Sequence, residues 1–145
     1  MAHITINFRS SVLAMPVMLD VLLPENAGNC KTLYLLHGYG GGRESILLKS
    51  RIAELVEGRH IAVIMPSGNN KLFINNKNGK AYHTFVTEEL PGRVEKWFSV
   101  SPKASDRLWT QAPLAQYMQG YISRSYIILC LAFNRCCLRR DFVRF

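Results

Sequence analysis

Thr32-Leu33-Tyr34-Leu35-Leu36-His37-Gly38-Tyr39-Gly40-Gly41-Gly42 is the stretch on which the fold turns. Residues 32–36 form an apolar run, the pattern of a strand covered on both faces, and pass straight into a hexapeptide with four glycines. Downstream, Leu48, Ile52, Leu55 and Val56 fall at helical spacing between Arg43 and Glu57, and Gly58 is placed to stop the helix. His60 to Met65 repeats the buried-strand pattern and ends at Pro66. Strand, helix, strand in this order predicts a right-handed parallel crossover, hence an α/β sheet.

Upstream, Ile4 to Phe8 alternates apolar and polar residues, and Met15 to Leu23 does so again with Val17, Leu19 and Val21 on one face. Pro24 and the 26–29 stretch supply turn chemistry, so these two strands read as an antiparallel pair at a sheet edge. Beyond Pro66, residues 67–80 are polar and rich in asparagine, a long loop at the C-terminal end of a strand, where open α/β sheets place ligands. Tyr82 to Phe98 returns to helical spacing through Phe85, Val86, Leu90, Val94 and Trp97, with Pro91 set to kink it or start a second segment. After Leu108 the regular alternation stops.

The 145 residues suit one domain, and 48% apolar against 19% charged residues gives enough to bury a core. No apolar run approaches the roughly 18 residues of a membrane-spanning helix, so no membrane span and a cytoplasmic location are expected. The net charge of +8 is uneven: residues 1–107 hold 13 basic and nine acidic groups, whereas residues 108–145 hold five arginines and Asp141 alone. Arg124, Arg135, Arg139, Arg140 and Arg144 therefore read as incidental charge in a divergent tail, and no nucleic-acid partner is expected. Cys30, Cys130, Cys136 and Cys137 lack a zinc-ligand spacing with histidine, so no metal and no cofactor are expected, and the cysteines read as free thiols.

The glycines of His37–Gly42 allow an abrupt turn and leave amide N–H groups unscreened, which is what a developing oxyanion needs. A plain strand-to-helix turn reads equally well from the hexapeptide alone. The Lys-Ser or Lys-Thr of a phosphate loop is missing, as is the G-x-G-x-x-G spacing of a dinucleotide site. Glu88 and Glu89, adjacent on a helix, point about a quarter-turn apart and read as solvated charges rather than a catalytic pair. Trp97-Phe98 reads as core packing.

Three segments together carry more. Leu35-Leu36-His37-Gly38-Tyr39-Gly40-Gly41, then His60 to Pro66 with Ser67-Gly68-Asn69-Asn70, then Tyr82-His83-Thr84-Phe85-Val86-Thr87-Glu88-Glu89-Leu90-Pro91, resemble in order and spacing the N-terminal half of the esterase D-like α/β-hydrolases. That group contains tributyrin esterases, S-formylglutathione hydrolases and feruloyl or acetylxylan esterases. The resemblance covers roughly residues 1–108 and implies an incomplete α/β-hydrolase fold. It also implies an oxyanion-hole N–H from Tyr39 or Gly40, and a cleft rim at Asn69 and Asn70. His37 and His83 are expected to be structural hydrogen-bonders. The substrate implied is a small acyl ester, attacked in full-length relatives by a Ser, His and Asp triad.

The resemblance breaks after Asp106-Arg107-Leu108, where a strand and a G-x-S-x-G nucleophile elbow are due. No serine in the 145 residues has glycine two positions before and two after. The chain as given is therefore expected to be a truncated, inactive ester hydrolase; the alternative is a non-catalytic binding module using the His37–Gly42 and asparagine-rich loops. Codons read one nucleotide earlier let Gln111, Ala112, Pro113 and Leu114 become Ala, Gly, Thr and Ser, close to an elbow, although Gln116 cannot become its second glycine. Residues 109–145 are thus expected to be a frameshifted, poorly ordered tail, and the exposed sheet edge left behind favours self-association.

Overall fold

The computed structural model describes residues 1–38, 41–69, 73–77 and 79–111. The expectations for the tail from residue 112 onward, for Tyr39 and Gly40, and for Asn70 fall outside these residues.

Among the described residues, five strands form one mixed sheet: β1 (Ala2–Ser10), β2 (Met15–Leu23), β3 (Lys31–Leu36), β4 (Ile61–Pro66) and β5 (Arg107–Gln111), in the spatial order β1-β2-β4-β3-β5. β1 and β2 pair antiparallel from Ala2↔Leu23 to Ser10↔Met15, and β2 pairs antiparallel with β4. β3 lies parallel to both β4 and β5, so the sheet becomes parallel where the glycine-rich turn begins.

Strand alternation sorts the side chains into two cores. Val17, Leu19, Val21, Tyr34, Leu36, Ala62 and Ile64 face one side, against Tyr82, Phe85, Val86, Leu90 and Val94 of the later helices. Leu22, Leu33, Leu35, Val63 and Met65 face the other, against Ile46, Ile52 and Val56. Both faces of β3 and β4 are thereby covered, which a parallel pair requires.

The crossover helix expected over Arg43–Glu57 is two helices, α1 (Arg43–Lys49) and α2 (Ile52–Val56). Ser50 breaks it: the residue is extended, and its hydroxyl donates to the Ile46 carbonyl at 2.5 Å, competing with the backbone ladder. The break resets the helical phase, so Ile46 is buried while Leu48, expected on the apolar face, is 84% exposed. Gly58 ends the pair at φ +71°, a left-handed conformation that glycine adopts without strain.

Tyr82–Phe98 is helical throughout, as α3 (Tyr82–Thr84), a π-helical turn (Phe85–Glu89) and α4 (Leu90–Phe98). The wide turn precedes Pro91, which lacks an N–H and sits in the first turn of α4. Of the pair expected in the core, Phe98 packs against it, whereas Trp97 is 40% exposed and meets Phe8 edge-on, their ring centroids 5.1 Å apart.

Two sequence expectations are corrected here. Strand structure does not stop at Leu108, because β5 runs on to Gln111. Its alternation is weak in sequence, yet Leu108 lies opposite Leu33, and Trp109 stacks on Tyr34 with centroids 4.2 Å apart. The Arg107–Glu95 ion pair at 2.5 Å ties the strand to α4.

Glu89 is also no solvated charge, since its side chain is only 8% exposed. Its carboxylate accepts from the Ser10 hydroxyl, the Ser11 and Val12 amides, the Ser11 hydroxyl and the Arg93 guanidinium. Burial works to raise its pKa, but these donors, Ser10 foremost, outweigh it and hold the carboxyl at about 2. Glu89 thus fastens the helix to the β1–β2 turn, whereas its neighbour Glu88 is exposed as expected.

Candidate active site

The candidate site lies where β3 and β4 end side by side. His37, the first residue after β3, has its ring completely buried. Its Nδ1 lies 2.8 Å from the Gly38 carbonyl and its Nε2 lies 2.7 Å from the Gly68 amide. A carbonyl accepts and an amide donates, so the ring carries its proton on Nδ1 and accepts at Nε2. Burial lowers the His37 pKa against the opposing effect of the Gly38 carbonyl, which keeps the imidazole neutral. With both nitrogens engaged, His37 joins two loops and has no lone pair left to act as a base.

Gly68 approaches this ring closely. A Cβ there would stand 2.9 Å from both His37 Nε2 and Phe73 Cζ, so the position admits only glycine without rearrangement. Phe73 completes the packing, edge-on to His37 at 4.9 Å between centroids. Asn69 is exposed and left-handed at φ +50°, with its amide and side chain turned toward the Ser67 hydroxyl.

The glycine-rich turn closes through the Gly41 amide, which donates to the Gly38 carbonyl at 3.1 Å. The Gly42 amide donates to Ser45 Oγ at 3.2 Å at the start of α1. These two amides serve the turn and the helix, so neither is open to a ligand. The oxyanion donors named from the sequence, Tyr39 and Gly40, are the positions between Gly38 and Gly41 and lie outside the described residues.

Sequence reasoning missed the anchor on the far side of the turn. Asp20, buried in β2 at 1% exposure, accepts from Arg43 Nη1 at 2.5 Å, Thr5 Oγ1 at 2.6 Å and His3 Nε2 at 3.2 Å. Burial tends to raise its pKa, but the bonds from Thr5, Arg43 and His3 hold the carboxyl below the usual carboxylate range. Arg43 is the first residue of α1, so this pair fixes where the helix begins after the turn. The available signal was a lone Asp among the apolar residues of β2. The asparagine-rich loop is likewise pinned: Asn75 bonds both the amide and the hydroxyl of Thr84, and Lys80 Nζ donates to the Leu13 carbonyl at 2.6 Å. His83, expected to be a structural hydrogen-bonder, is exposed on α3.

No group of three or more metal-ligating side chains occurs among the described residues. A mixed sheet in this order, with a glycine-rich turn after β3 bound to the loop after β4, defines part of an α/β-hydrolase. Residues 10–111 match the family model described as "Putative esterase", and the chain belongs to that family. It is similar to an acetyl esterase of Caldicellulosiruptor saccharolyticus, 34% identical over a 102-residue alignment, with 62% of this chain and 38% of the relative covered. Among solved structures it resembles the fluorophosphonate-binding serine hydrolase F of Staphylococcus aureus, with 26% identity and a TM-score of 0.72. It also resembles the S-formylglutathione hydrolase of the same organism, at 26% identity and a TM-score of 0.69. Each alignment covers 81% of this chain and 49% of the solved one, so the chain spans half or less of the relatives it matches.

Proposed function

We propose that this chain is the oxyanion-binding half of a serine carboxylic ester hydrolase whose complete relatives cleave small acyl esters, and that the 145 residues do not themselves turn over ester. The observation that carries this is the His37–Gly68 bond, which locks the glycine-rich turn to the neighbouring loop at the ends of two parallel strands. Such rigidity is what a main-chain donor aimed at a developing oxyanion requires. The donor is the Tyr39 or Gly40 amide, and Asn69 and Asn70 line the rim of the acyl-ester cleft.

Acyl transfer also needs a nucleophile and a base. No G-x-S-x-G occurs in the sequence, and His37, the histidine nearest the turn, has both nitrogens occupied. β5 is in place as the strand that would lead to an elbow, and the resemblance fades just beyond it, which supports a change of reading frame near residue 111. The free, buried thiol of Cys30 fits a reducing cytoplasm.

Incubation with chromogenic acetate and butyrate esters tests the reading, and no turnover above buffer is expected. Turnover abolished by a serine-reactive phosphonate would overturn the inactivity. The coding DNA past codon 107 tests the frame: an elbow in an alternative frame is expected, and its absence from both removes the frameshift.

A further inference from the structure

We propose that β1 is a self-pairing edge: two copies of this chain join their β1 strands antiparallel about a two-fold axis at Ile6, fusing two five-stranded sheets into one. β1 ends the sheet, and among the described residues it pairs only with β2. Proteins ordinarily blunt such an edge with shortness, proline, a bulge or charge. β1 is nine residues long and contains no proline, and its register with β2 runs unbroken from end to end. Its centre, Ile4-Thr5-Ile6-Asn7-Phe8, carries no charge. Among the described residues the other outer strand is β5, which opens with the charged Arg107.

The sequence of β1 is self-complementary. With Ile6 on the axis, Ile4 lies opposite Phe8 of the second copy and Thr5 opposite Asn7, while the Arg9 carbonyl, which accepts from Arg93 Nη2 at 3.4 Å, must exchange that bond to extend the pairing to the strand end. Ile4, Ile6 and Phe8 share the face that packs on the larger core, and each is only partly buried. Trp97, 40% exposed, packs edge-on against Phe8, and the Arg93 guanidinium lies over the same ring, 5.0 Å from its centroid, so the apolar contact is centred on Ile4 and Ile6. Pairing sets the second copy's apolar residues beside these and continues the core layer across the axis, while the polar pairs fall on the opposite face. A one-residue slip sets apolar residues against polar ones, so the alternation selects the register. His3 would meet Arg9 of the second copy, with the His3 ring held at 3.2 Å by the Asp20 carboxylate. A two-fold contact of this kind closes on itself and yields a dimer rather than a filament. An interface made mainly of one strand pair is small, so the dimer is concentration-dependent.

Sedimentation velocity of the full chain over a wide micromolar range tests this. A monomer–dimer equilibrium is expected, with Ile6→Lys monomeric at every concentration and its circular dichroism unchanged. A second arm keeps the test independent of any folding defect, using one introduced cysteine at a time under mild oxidation in a Cys130→Ser, Cys136→Ser, Cys137→Ser background, which retains only the buried Cys30. Ile6→Cys is expected to cross-link to itself. Ile4→Cys is expected to cross-link only when mixed with Phe8→Cys. A chain that stays monomeric, a dimer unmoved by Ile6→Lys, or Ile4→Cys cross-linking to itself would each overturn the proposal.

Discussion

The main-chain N–H of Gly68 donates to Nε2 of His37 at 2.7 Å, and the same glycine has no room for a methyl group against that ring. The bond and the close approach depend on one another. Gly68→Ala must push the ring or Phe73 aside and lengthen the bond. A destabilisation of about 1–3 kcal/mol is expected, the usual cost of overpacking, read as a lower urea midpoint with an unchanged slope.

Acid acts through the same ring. The folded-state pKa of His37 lies below its ordinary value near 6.5, so the unfolded chain takes up its proton first. The stability contributed by the neutral ring is fully present above about pH 6.5 and is lost as pH falls from there through the folded pKa. Urea titrations between pH 8 and 5 should show this loss, and His37→Asn should remove that part of the pH dependence while lowering stability throughout.

Glu89 predicts a second, more acidic transition. Its carboxyl is held at about 2, below the ordinary glutamate value near 4.3, so its contribution is present above that value and lost as pH falls through about 2. Glu89→Gln leaves several donors of the β1–β2 turn without a charged acceptor, a loss of about 2–4 kcal/mol at neutral pH. Equilibrium unfolding at pH 7 and pH 3 should find the variant and the parent closer together in acid.

Asp20→Asn strips the charge that holds Arg43 at the start of α1. Removing one partner of a fully buried pair costs about 3–5 kcal/mol. Arg43 keeps some solvent contact, with its side chain 12% exposed, so about 2 kcal/mol is expected. Thermal melts should show Asp20→Leu combined with Arg43→Met recovering part of the loss, because the double variant buries no orphaned charge.

The strands around the glycine-rich turn were legible because burial there is written as composition: Thr32–Leu36 and His60–Met65 have apolar side chains to offer both faces. β5 was not legible. Its pairing rests on Trp109 meeting Tyr34 and Leu108 meeting Leu33, contacts between segments some 75 residues apart that no local period records. The split of the crossover helix was hidden in Ser50, a residue equally at home in a helix or a break. Of the site, the turn and its histidine were visible as a motif. The Asp20–Arg43 anchor and the Glu89 clamp were not, because a carboxylate's partners are chosen in space.

The sheet order carries a consequence for synthesis. β4 lies between β2 and β3, so the β1–β2 hairpin, though made first, has no neighbour to join until residues 61–66 have left the ribosome. β3 arrives earlier and must wait as well. Sheet assembly is therefore a late, concerted event on the nascent chain, and the hairpin spends the interval with an uncovered apolar face, where chaperones would find it.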